Sequence, residues 1–112
     1  MLALAAMAAA GTPHRLLEQQ FERTVRPFVM QYCAGCHSGH TPAGQLDLKS
    51  FTSIEMVTAD FPHWALLAER LSAKDMPPKP LPPPPEEASE QVTAWVHAVR
   101  AEQVKKFAGD PG

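Results

Sequence analysis

Apolar residues recur at helical spacing through Leu17, Phe21, Val25, Phe28, Val29 and Tyr32, which predicts an amphipathic helix over residues 13–32. Thr12 suits its N-cap and Pro13 its first turn. Pro27 lies inside the pattern and has no N–H to give, so a second helix should begin near Thr24 or Val25, or one helix should kink there. Phe21, Phe28 and Tyr32 read as core. Residues 38–45 gather Gly39, Pro42 and Gly44 and predict a loop. Leu46-Asp47-Leu48 alternates but is too short for a sheet. A short helix is expected over 53–57, and Asp60-Phe61-Pro62 opens a longer one. On a wheel its inward face carries Trp64, Leu67, Ala68 and Leu71, with Glu69 and Arg70 off that face. Seven of the nine residues after Met76 are proline, which excludes helix and sheet and predicts a stiff, extended arm. A closing helix over 86–107 puts Val92, Trp95, Val96, Val99 and Gln103 on one face and leaves His97 wet. Glu86, Glu87 and Glu90 at its start and Lys105 and Lys106 at its end complement the helix dipole. Trp95 should pack on the surface of residues 21–32, and residues 109–112 should fray.

With 112 residues there is room for one core, placed here over 12–108. A chain of this size is marginal unless something staples it. The net charge of −2 provides no basic footprint and argues against nucleic acid as a partner. Residues 1–10 are apolar and alanine-rich, too short to span a bilayer, and Ala8-Ala9-Ala10-Gly11 offers the small residues of a cleavage site. Residues 1–11 therefore read as a signal peptide or its remnant, without the basic residues that usually precede one, and no membrane span is expected in the mature chain.

The chemistry centres on Cys33-Ala34-Gly35-Cys36-His37, a C-x-x-C-H motif. Two thiols at this spacing can bond covalently to the two vinyl groups of a haem, with the following histidine as proximal iron ligand. A redox dithiol would want a βαβ pattern, which is missing, and a zinc site would have to crowd His40 into the same loop as Cys33, Cys36 and His37. A bound haem would supply much of the interior that so short a chain lacks. His37 needs its second ring nitrogen held, and a backbone carbonyl of residues 41–44 is the nearest acceptor. Leu46 and Leu48 are placed to face the porphyrin edge. The sixth ligand is assigned to Met76, a soft thioether at the start of the proline arm, with Pro77 beside it. Met30 and His40 lie too close to the motif to reach the other face; Met56 and His63 remain as alternatives.

These residues together resemble small c-type cytochromes, and among them the planctomycete-type cytochrome c domain. The likeness runs over residues 21–100 and rests on Val25-Arg26-Pro27 before the Cys33, Cys36, His37 motif, on Gly44-x-Leu46-x-Leu48, on Met76-Pro77-Pro78 and on Ala94-Trp95-Val96. It implies an all-α fold, about three to five helices round one covalent haem c, with His37 and Met76 as axial ligands of its iron. Relatives often carry the module at one end of a longer polypeptide; this chain ends after it, and no enzymatic role is expected. The expected function is single-electron transfer between redox partner proteins, in the periplasm or otherwise outside the bacterial cytoplasm where haem c is attached. The alternatives are a haem peroxidase or gas sensor with a labile sixth ligand, and a binding module that uses the proline run. Lys74, Lys79 and Lys49 are candidates for steering a partner to the haem edge.

Overall fold

The computed structural model describes residues 12–108, and among these every regular element is helical. The expected signal segment over 1–11 and the frayed end over 109–112 lie outside the described residues. Helix α1 (His14–Gln20) runs into a π-helical turn (Phe21–Val25) and then into α2 (Arg26–Tyr32). Short 3-10 turns at Ala43–Gln45 and Leu48–Ser50 follow, then α3 (Ile54–Ala59), α4 (Phe61–Ser72) and α5 (Glu86–Ala108).

Pro27 accounts for the break between α1 and α2. It has no donor for the carbonyl one turn back, and the chain widens by a residue instead of bending sharply: Arg26 N–H donates to the Phe21 carbonyl, five residues earlier. The α-helix restarts at Arg26, which leaves Pro27 in a first turn, where its missing N–H does no harm. The start of α1 differs from expectation by one position. Pro13, not Thr12, occupies the N-cap, with its carbonyl accepting from the Leu16 and Leu17 N–H groups at 3.1 Å each. Ser53 caps α3 by accepting from Met56 N–H, and Pro62 sits in the first turn of α4.

The core is an aromatic cluster where these helices meet. Trp64 of α4 lies edge-on to Phe21 and to Trp95 of α5, with centroids 6.2 and 6.0 Å away, and Trp95 packs on Phe21 at 5.5 Å. The indole N–H of Trp95 donates to the Leu17 carbonyl at 2.9 Å, joining α5 to α1 just ahead of the π-helical turn. Leu17, Val25, Ile54, Val57, Val92, Val96 and Val99 fill the space around the rings. Packing of α5 against α4, α1 and the π-helical turn organises the molecule. Trp64, Ala68 and Leu71 are buried on α4, while Leu67 is only partly covered. Tyr32 departs from the expected core role and stays half-buried at the end of α2, 5.0 Å from the Phe28 ring. The proline arm is not uniformly extended, because a turn closed by Leu81 N–H on the Pro78 carbonyl interrupts it. No helix among the described residues is long and apolar enough to cross a membrane.

Candidate cofactor site

The C-x-x-C-H motif continues α2 as one more turn. The Val29 carbonyl accepts from Cys33 and Ala34 N–H groups at 2.9 Å each, and the Cys33 carbonyl accepts from Cys36 at 3.2 Å and His37 at 3.0 Å. In a helical turn, positions i, i+3 and i+4 share a face, so Cys33, Cys36 and His37 are displayed together. Ala34 points the other way and is buried. Both cysteines are free thiols. Burial pushes the Cys33 thiol from 9.0 up to about 11, and it stays protonated at neutral pH.

The loop that follows folds back onto this turn and fixes it. Ala43 N–H donates to the Cys36 carbonyl at 2.8 Å, and the Ala43 carbonyl accepts from His37 Nδ1 at 2.8 Å. Leu48 N–H donates to the His37 carbonyl at 2.7 Å. The reversal uses Gly39 at φ 87° and Gly44 at φ 64°, values that glycine adopts without a Cβ clash. A carbonyl can only accept, so Nδ1 carries the ring proton and Nε2 presents a lone pair.

The second wall comes from α4 and the arm behind it. The end of α4 is a Schellman motif: Lys74 N–H bonds the Leu71 carbonyl, Asp75 N–H bonds the Arg70 carbonyl, and Lys74 holds φ 61°. An exposed Arg70–Asp75 ion pair at 3.3 Å replaces the apolar contact that commonly accompanies this motif. The chain is thereby turned so that Met76 follows directly. At the other end of α4, Asp60 is in the N-cap position but caps no backbone N–H; both its carboxylate oxygens lie 2.8 Å from His63 Nδ1.

Between the walls lies an apolar cleft holding about 1010 Å3 of atom-free space, part of it open to solvent. Two stretches of chain line it: Tyr32, Cys33, Cys36, His37, Gly44, Leu46 and Leu48 from the end of α2, the motif and its loop, and His63, Leu66, Leu67, Arg70, Leu71, Met76, Pro77, Pro78 and Leu81 from α4 and the arm. Every residue assigned to the site from sequence, namely Cys33, Cys36, His37, Leu46, Leu48, Met76 and Pro77, is therefore brought to one cavity. Of the alternative ligands, His63 lines the cleft. Met56 does not, and its sulfur accepts from the Thr52 hydroxyl at 3.3 Å on α3. His40 and Met30 are exposed and line no part of the cleft, and His97 faces other grooves. Arg70 and Tyr32 are lining residues that the sequence reading did not assign. For Arg70 the signal was present, since positions 63, 66, 67 and 70 fall on one face of a helix.

No protein-family model matches the chain, and neither a curated protein nor a solved structure does. The likeness to the planctomycete-type module rests on its motifs alone.

Proposed function

We propose that this protein is a monohaem c-type cytochrome that carries single electrons between redox partner proteins, acting in the periplasm or another exported location. The observation that carries the reading is a C-x-x-C-H turn lining an apolar cleft that a methionine from the following arm also lines, with the histidine already held in the metal-binding tautomer. The residues present suit the group. Cys33 and Cys36 would hold it through two thioethers, each thiol adding S–C and C–H bonds across a vinyl group without an external oxidant. His37 Nε2 and the Met76 sulfur would hold its iron, and Leu46, Leu48 and Pro77 would pack against it. When bound, haem supplies a one-electron iron couple. Of the chain's own residues, Ala43 fixes the imidazole through its carbonyl, the leucines of the cleft would offer the group an apolar seat, and the Met76 thioether would raise its potential.

The test is production of the full chain with export and haem attachment. Covalent haem surviving a denaturing gel is expected, with the ferric absorption band of an Fe–S(Met) bond in the native protein. Met76→Ala should abolish that band and lower the potential. Wild-type protein without covalent haem would overturn the reading. Attached haem that is high-spin in the wild type would favour a peroxide- or gas-binding module, a reading that His63 and Arg70 in the cleft support.

A further inference from the structure

The cleft contains a second histidine prepared in the same way as His37. His63 Nδ1 donates to the Asp60 carboxylate at 2.8 Å, which leaves Nε2 as the lone-pair nitrogen. A carboxylate behind an imidazole fixes its tautomer and raises its basicity as a ligand. Asp60 stands where an aspartate ordinarily caps the helix, yet its carboxylate is directed to His63. Met76 and His63 both line the cleft, His63 from the first turn of α4 and Met76 from the arm just past its end, and Met76 is 43% exposed there.

We infer that His63 is a reserve axial ligand, which takes the iron when Met76 leaves it, so that the protein has a second, lower-potential low-spin state. The inference rests on the haem reading above and concerns the regulation of that same site. Imidazole in place of thioether lowers the potential, so exchange of one for the other would convert a good electron acceptor into a poorer one. Asp60 is a positioning residue for the exchange. His63 is half-exposed, so its replacement leaves the core untouched.

The experiment uses full-length protein carrying covalent haem, in four forms: wild type, Met76→Ala, Met76→Ala with His63→Ala, and Met76→Ala with Asp60→Asn. Electron paramagnetic resonance and optical spectra read the spin state, and circular dichroism checks the fold. Met76→Ala is expected to lose the Fe–S(Met) band yet remain low-spin with a bis-imidazole signature. Adding His63→Ala should make it high-spin, and adding Asp60→Asn should give a mixture of the two states. High-spin haem in Met76→Ala alone would overturn the inference while the cytochrome reading stood. Low-spin haem persisting after both Met76 and His63 are removed would also overturn it, by showing a different ligand. Failure of the wild type to attach haem would remove both readings, and the denaturing gel tells that outcome apart from the others.

Discussion

At the scale of single residues, the site depends on a few backbone positions that do unusual things. Ala43 both donates to the Cys36 carbonyl and accepts from His37 Nδ1, so the motif and its supporting loop hold each other. This support comes from the main chain, and side-chain substitution at Ala43 would leave it in place. Lys74 is different. It holds φ 61° at the left-handed position that ends α4, where an L-residue is strained and glycine is not. Its side chain gains little in return, since its ion pair with Glu86 is long, at 3.9 Å, and exposed at both ends. Lys74→Gly is therefore expected to stabilise the protein by about 0.5–1 kcal/mol, the relief of strain exceeding the extra entropy of glycine in the unfolded chain. Thermal melts check it, a rise of a few degrees being expected. An unchanged or lower midpoint would mean that this turn carries no strain.

At the scale of helices, much of the architecture was legible in the chain and some was not. Helical spacing of apolar residues marked α1 with α2, α4 and α5, because each buries one continuous stripe against a neighbour. The seat of His37 could be anticipated because so short a loop leaves few acceptors within reach. Pro27 announced a disturbance, but its resolution as a π-helical turn depends on how Phe21 and Val25 pack, which local pattern does not hold. The Asp60–His63 pair escaped notice because an aspartate before a helix reads first as a cap. Contacts across long separations were equally silent. His14, for example, meets Glu102 of α5 at 2.7 Å and also approaches Glu18 and Glu55, at 3.5 and 3.4 Å. The hydrogen bond to Glu102, and then the surrounding carboxylates, raise the pKa of His14 above its ordinary 6.5 despite an opposing contribution from burial. A raised folded-state value stabilises the fold fully below pH 6.5, and that contribution disappears as pH climbs through the folded-state value. His14→Gln should thus flatten the decline in stability on the alkaline side of pH 6.5. Since the groups are largely exposed, the difference should stay below about 1 kcal/mol. Chemical denaturation of both proteins at several pH values reads it, and parallel pH profiles would sink the assignment.

At the scale of the whole molecule, two apolar regions share α4 as a common wall. One is the closed aromatic core around Trp64, reached from the face carrying Ala68 and Leu71; the other is the open cleft along His63, Leu66, Leu67 and Arg70. The first is closed, its rings and aliphatic side chains covering one another, with the Trp64 indole N–H buried there without a partner among the described residues. The second leaves Leu66 and Leu81 about half-exposed, at 45% and 50%, and covering the remaining half of each would gain about 1 kcal/mol. On the haem reading, those are the groups the macrocycle would cover, so the cofactor completes the fold as well as conferring function. The division between regions then sets the expected behaviour of Cys33→Ala with Cys36→Ala, which removes the covalent attachment points but no core side chain. Helical circular dichroism should survive in part because the aromatic core is intact, while the melt should broaden and lose its cooperativity. A loss of about 3 kcal/mol corresponds to a midpoint roughly 10–20 °C lower in a domain of this size. The comparison must be made against haem-loaded wild type, because the effect belongs to filling the cleft and not to the thiols themselves. A double variant that melted as sharply and as high as the loaded protein would show that the aromatic core alone determines stability and that the cleft contributes nothing to it.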